Sequence, residues 1–462
     1  MNRKLDKQEL AYLLEHLELH HPGSGLSGSM VYGSRGAEDL SGADQVGPGV
    51  KLIFPASELP LDTDQVFMIQ DLPVLFPCSK EQQWYSVEGK QVRFHHDILK
   101  SAFYLLSGYQ EYQSQEKDAH GRFPWQASVQ HRLGITLKPV VNYYFSIILE
   151  AYQLCLELNR LEFQKKKETP PILFLSHDVD RIVKYSLRDV AYWVLAVAGL
   201  KPLKASLSER WRSLLVSARG TFLFKKDPYW NFQELMKLEK SLGIRSTWYM
   251  LEKTRLENSR YHFDSGKIRR LIASIEDEGH EIGIHGTLES SEDPKAMTAG
   301  LRRLGAVTRQ AIRGVRQHYL KYNNPVSTRI HEEAGILYDS TLGFAEHIGF
   351  RNSYAHPFRL YDFDKQRASG TWEIPLLVMD VTLTGYMGTS IQQIPSAIQA
   401  VLEEVQKFGG VFSLLWHNCN LDEEELPGIN RMYSQLLGNI AEAGFVSRTG
   451  REVVEEIKSS GV

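Results

Sequence analysis

Residues 172–181, ILFLSHDVDR, run four apolar positions into a serine, a histidine and two aspartates separated by one valine. An unbroken apolar run of this length reads as a strand buried on both faces. Carboxylates packed so closely repel each other unless something positive stands beside them. A metal ion, an arginine, or plain solvent at a loop tip would each relieve that repulsion. If the strand continues to Asp180, alternation turns Asp178 and Asp180 to the same side.

Downstream of this strand the pattern alternates between strands and helices. Further strand candidates lie at 245–251, 281–287, 314–320, 336–343, 372–383 and 411–418, with helical stretches such as DSGKIRRLIASIEDEG and IQQIPSAIQAVLEEVQKF between several of them. Such alternation predicts a mostly parallel sheet or a barrel. Seven strands with polar residues at their ends favour a barrel, whose active site gathers at the carboxyl ends of the strands. The expected fold class is therefore α/β: a distorted (β/α)7-type barrel over 171–455, preceded by a smaller α/β domain over 1–165. QKKKETPP, at 164–171, reads as the linker between them.

The N-terminal part opens on an amphipathic helix over 1–20 and a Gly/Ser-rich loop over 22–49 expected to hold no regular element. Short strands, a hairpin turning near Glu88–Gly89 and two helical stretches follow. Its role is left open; DAHGRFPWQ and GYQEYQ mix aromatics and charges as a sugar site would, but surface turns do the same. One segment breaks the barrel's alternation. Residues 181–226 hold ten Lys/Arg against two acids around the apolar VAYWVLAVAGL. This reads as a helical insertion packing on the barrel, or as a basic amphipathic lid or peripheral membrane contact.

The chain has 462 residues, 42% of them apolar and 24% charged, with a formal net charge of −3. That charge argues against nucleic acid as a partner. Cys78, Cys155 and Cys419 stand far apart, so neither a disulfide framework nor a cysteine zinc site is implied. The first 21 residues lack the apolar core of a signal peptide, and no run is long enough to span a bilayer, so a cytoplasmic protein is expected.

Several residues besides the aspartates could carry chemistry. In GHEIGIHGTLES (279–290), His285 ends a short strand and Glu289 follows four residues later. If the chain turns helical there, both face one way and could share a divalent ion of the zinc class. His280 on the other flank reads as a packing residue. Arg316 and His318 lie two apart in GVRQHYL, on one side of a strand; a buried arginine needs a carboxylate, and Asp178 needs a cation. His417 ends the strand VFSLLWHN, and Asp380 ends IPLLVMD where it could orient an imidazole.

Taken in order, FLSHDVD, GHEIGIH, GVRQHY, YDSTLGF and FSLLWHN resemble the five motifs of the polysaccharide deacetylases (carbohydrate esterase family 4, NodB homology domain). The resemblance covers roughly 171–450 and leaves the N-terminal third aside. It implies a distorted barrel holding one divalent metal, commonly Zn2+, and removal of N-acetyl groups from amino sugars of a glycan or glycan precursor. Asp178 matches the catalytic base, Arg316 the arginine that pairs with it, and His417 the general acid. Asp180 and His285 match metal ligands, in a D-x-D variant of the motif. The family's second histidine is Glu289 here, so the third ligand is either Glu289 or His318. His177 is expected as a supporting residue or spare ligand, with Asp339 and Asp380 behind the site. Two other readings compete. The barrel could be a catalytically degenerate glycan-binding protein, or DVDRI could be the nucleophile loop of a haloacid-dehalogenase-type phosphatase using Asp178, with a downstream lysine on a Rossmann-like core. A deacetylase-like barrel could also hydrolyse a non-sugar amide or cyclic imide.

Overall fold

The computed structural model describes residues 1–20, 25–33, 38–39, 50–163, 169–201, 206–223, 226–254, 257 and 259–459. Most of the expected 164–171 linker and part of the 22–49 loop lie outside them. Within that loop, Met30–Tyr32 nonetheless forms a strand, paired in parallel with Leu52–Phe54 and antiparallel with Glu38–Asp39. Its apolar, partly β-branched side chains bury against the N-terminal core despite the glycines around them. A five-stranded sheet results, ending in the antiparallel hairpin Tyr85–Glu88/Gln91–Phe94 and backed by the helix Val140–Leu158. This core does not stop at the linker. Tyr322, Tyr354, Phe358 and Tyr361 pack into the same cluster as Leu13, Phe103 and Tyr144.

The second part holds the strands β1 (Ile172–Val179), β2 (Ser246–Met250), β3 (Glu281–Gly286), β4 (Gly314–Gln317) and β5 (Tyr338–Asp339), then β6 (Phe358–Asp362), β7 (Arg367–Glu373), β8 (Val378–Met379), β9 (Val411–Leu415) and β10 (Val446–Ser447). They lie in the order β6-β7-β5-β4-β3-β2-β1-β9-β8, with β10 also pairing β1. All the pairings except β6–β7 are parallel. The single strand expected over 372–383 is broken. Parts of it serve in β7 and as β8, so nine of the ten strands, β10 included, run parallel where seven were expected.

That break curls the sheet into a half-barrel. β7 lies near one end of the sheet and β8 at the other, yet only residues 374–377 join them. Five residue steps reach at most about 17 Å, so the two ends must curl toward each other. The crossing is pinned by Leu377 N donating to Ser413 Oγ at 2.8 Å and Leu376 N donating to Leu342 O at 3.0 Å. Inside the curl, Phe174, Tyr249, Tyr338 and Trp372 meet Val453 and Val454 of the last helix, which plug the bottom. Glycines make room for the rings: a Cβ on Gly314 would lie 2.2 Å from Tyr338, and one on Gly283 would lie 2.5 Å from Tyr249. Outside, Leu173, Leu175, Trp248, Ile282 and Val315 pack under the surrounding helices.

Two helices form the 181–226 insertion, α1 (Leu187–Val197) and α2 (Leu207–Phe222). Ser186 caps α1, and Ser206 with Glu209 forms a capping box on α2, satisfying otherwise unpaired N–H groups. No helix among the described residues is long and apolar enough to cross a membrane.

Candidate active site

The sheet register prepares the site before any side chain is considered. His285 of β3 sits beside Arg316 of β4, and Asp178 of β1 sits beside Tyr249 of β2. All four therefore point into the curl, at or near the carboxyl ends of their strands. On a flat sheet β1 and β4 would stand about 14 Å apart. Here Arg316 Nη1 donates to Asp178 Oδ1 at 3.0 Å and to Ser176 Oγ at 2.8 Å. Its Nε and Nη2 donate to Ser340 O and Oγ at 2.8 and 2.9 Å, and its guanidinium lies over Tyr249. Arg316 is wholly buried, so this full set of partners is what lets a cation stay there.

Asp180, just past β1, offers its two oxygens to imidazoles. His285 Nε2 stands 3.2 Å from Oδ1; His318 Nε2 and His417 Nε2 each stand 3.6 Å from Oδ2. His285 Nδ1 donates to Arg316 O at 2.7 Å, so a neutral His285 turns a bare lone pair toward Asp180 Oδ1. That oxygen is buried and has no hydrogen-bond partner. Two acceptors facing each other need a cation between them. His318 is set up in the same way, its Nδ1 held by Glu257 Oε2. A carboxylate behind a histidine fixes the ring and strengthens it as a ligand. Asp180, His285 and His318 bring one ligand atom each within 4.8 Å of one another. One oxygen and two imidazole nitrogens are a donor set suited to a divalent ion of the zinc class.

Electrostatics tie the cluster together. Burial would lift the Asp180 carboxyl, but the imidazoles of His285 and His318 beside it hold it well below the usual carboxylate range. Burial would lower His318, yet Asp180 and Glu257 raise it to about 9. A proton and a metal ion thus compete for the same lone pair. Opposite, His417 Nδ1 donates to Asp380 Oδ1 at 2.8 Å, while Asp380 Oδ2 accepts from His417 N at 2.8 Å and from Asn420 Nδ2 at 2.9 Å. Burial opposes a charged His417, but Asp380 first, then Asp180 and Asp178, lift it to about 10.

Two expectations need correction. The chain does not turn helical directly after His285: residues 288–292 form turns, and Glu289 stands exposed outside the group of Asp180, His285 and His318 that could hold a metal ion. His177 is no spare ligand. Its neighbour Asp178 points inward, so His177 points outward, where Nδ1 donates to Trp416 O and Nε2 meets Glu239, both at 2.8 Å. Asp339 lies behind the site, paired with His331 Nδ1 at 2.7 Å and accepting from Thr341 N at 2.7 Å in the turn that bears Ser340. His280 packs against the same Glu239, Nδ1 to Oε2 at 3.6 Å. Glu257, Ser176, Ser340 and Asn420 were not anticipated; none occupies a charged strand end, and Glu257 lies in a loop without any periodic signal.

Comparison with known proteins gives one family model and several solved structures. A family model described as "Family of unknown function (DUF7033)" matches residues 44–155. No curated protein sequence matches the chain. Similar solved structures include a Mycobacterium smegmatis protein assigned to the polysaccharide deacetylases, 18% identical, covering 64% of this chain and 93% of that one with a TM-score of 0.43. Another is PuuE allantoinase, 12% identical, covering 64% and 95% with a TM-score of 0.42. A Pseudomonas aeruginosa PAO1 protein, also assigned to the polysaccharide deacetylases, is 15% identical and covers 62% and 89% with a TM-score of 0.41.

Proposed function

We propose that this protein is a metal-dependent hydrolase that removes N-acetyl groups from amino sugars of a glycan or glycan precursor. The observation that carries this reading is the meeting, in one cleft, of an arginine-held carboxylate, a three-residue metal cradle and a carboxylate-held imidazole. A divalent ion of the zinc class, held by Asp180, His285 and His318, would supply Lewis-acid polarisation of the acyl oxygen and a more acidic water. Asp178, kept in place by Arg316 and Ser176, accepts the proton of the attacking water. The water oxygen bonds to the acyl carbon. His417, oriented by Asp380, delivers a proton to the sugar nitrogen as the C–N bond breaks, so acetate and a free amine leave.

The phosphatase alternative is weaker on the same grounds. It calls for a lysine, whereas the cation beside Asp178 is Arg316, and it leaves both histidines of the cradle without a task. The binding-module alternative would account for the fold but not for so complete a set of proton-transfer groups.

The test is acetate release from N-acetylated chito-oligosaccharides by the zinc-loaded protein. Release should stop with a chelator and return with zinc. Asp178→Asn should lower the rate about 10²–10⁴-fold, the span general-base catalysis contributes, while metal content stays the same. Equal release by both proteins would remove Asp178 from the mechanism. A protein that binds the oligosaccharide but releases no acetate even when zinc-loaded would be the binding module instead.

A further inference from the structure

The α1–α2 hairpin carries a surface that the proposed reaction does not use. Of the eighteen large hydrophobic side chains exposed among the described residues, eleven lie between Leu187 and Leu223. On α2, Leu207, Trp211, Leu215 and Phe222 are 59, 49, 56 and 57% exposed. At 3.6 residues per turn these four fall within about 80° of arc. Arg210 lies on one flank of that stripe, and Arg212 and Arg219 on the other. On α1, Leu187, Val194 and Leu195 fall within about 100° of arc and are likewise exposed. An apolar stripe bordered by long cationic side chains suits the boundary between lipid headgroups and acyl chains. The apolar groups enter the boundary while the cations reach back to the phosphates.

The hairpin is firmly held rather than loosely attached. Arg260 Nη2 bonds Asp189 Oδ1 at 2.6 Å, and the α2 backbone at Gly220 lies so close to Tyr185 that a Cβ there would stand 2.3 Å from the ring. Gly220 is buried, and these contacts fix which face remains outside. Beneath the hairpin is a cavity of about 1060 Å³ lined in part by Arg188, Arg212 and Lys253, and it reaches Glu257, the carboxylate that holds His318. The exposed stripe and the candidate active site thus belong to the same end of the barrel.

We propose that the α1–α2 hairpin docks the protein on an anionic phospholipid surface. The six-to-two excess of Lys/Arg over Asp/Glu in residues 187–223 decides for an anionic surface over a second copy of this chain, whose own hairpin would repel it. Docking would bring the cavity and cleft to the headgroup level. The proposal is independent of deacetylation: vesicle binding can fail while acetate release persists, and the reverse.

The full chain is sedimented with vesicles of phosphatidylcholine alone or mixed equally with phosphatidylglycerol, at low and at molar salt. Wild type should pellet with the anionic vesicles at least about tenfold more than with the neutral ones, less so at high salt, which screens the charges. Trp211→Ser/Leu215→Ser/Phe222→Ser should remain in the supernatant with an unchanged melting curve. Arg219→Glu, a single exposed change, should weaken pelleting even if the triple variant folds poorly. Pelleting that ignores lipid charge, or that survives these substitutions, would overturn the proposal. So would a dimer in velocity sedimentation that the triple variant dissociates, without any vesicle binding, since the stripe would then serve self-association.

Discussion

Arg316 is the side chain on which the charges of the site turn. It has no exposure, and its four hydrogen bonds come from one plane of nitrogens reaching β1 on one side and the turn after β5 on the other. A lysine presents one point charge and cannot fill those directions. Replacing Arg316 by Met would leave Asp178 buried without its cation, and losing one partner of a buried pair costs about 3–5 kcal/mol. Urea unfolding should therefore show Arg316→Met destabilised by that order, with Arg316→Lys in between. A change below about 1 kcal/mol, the worth of an exposed pair, would mean water reaches Asp178 freely.

At the scale of elements, glycines decide how tightly the barrel curls. Tyr338 of β5 is wedged between Gly314 of β4 and Gly450 at the start of the last helix; a Cβ on either would stand 2.2 Å from its ring. Because the ring is confined on both sides, it cannot move aside. Gly314→Ala should cost about 1–3 kcal/mol, the usual range for overpacking. Gly438 is the internal control. It lies in the helix Ile429–Glu442 with nothing within 4 Å of where a methyl would sit, so Gly438→Ala should gain about 0.5–1 kcal/mol through helix propensity. Unfolding midpoints of the two variants should move in opposite directions. The strand over 372–383 belongs to this scale too. Its apolar run is continuous, but WEIPLLVMD contains Pro375, which cannot donate to a ladder, and the chain changes edges there.

For the whole molecule, the N-terminal part and the barrel fold against one another. His16, in the first helix, donates from Nδ1 to Tyr12 O at 2.7 Å and accepts at Nε2 from the backbone N–H of Arg359 in β6 at 3.1 Å. Protonation would set N–H against N–H in a buried place. Burial pulls its pKa from 6.5 down to about 4, the bond to Tyr12 resisting only slightly. The folded value lies below the unfolded one, so this group's contribution is complete above pH 6.5, declines as pH falls toward 4, and is constant below. A shift of that size is worth a few kcal/mol, about 1.4 per unit. Urea stability of wild type should fall between neutral pH and about pH 5, and His16→Gln should flatten that slope. An unchanged slope would mean that the contact between the first helix and β6 is open in solution.

The sequence by itself determined the alternation of strands and helices, the strand ends that bear Asp178, His285, Arg316 and His417, and the apolar, cation-rich character of 181–226. These are local: a buried strand must be apolar, and a charge at its end stands out against that run. Tertiary structure decided the rest. Whether Glu289 or His318 stands beside Asp180 and His285 depends on whether the chain turns after His285, and on a loop carboxylate, Glu257, that no periodicity marks. Which way His177 faces follows from the side to which its neighbour is committed. The curl that brings Arg316 to Asp178 arises only when residues 374–377 join opposite ends of the sheet. A distance across a curled sheet depends on every strand between its ends, and no short stretch of sequence contains it.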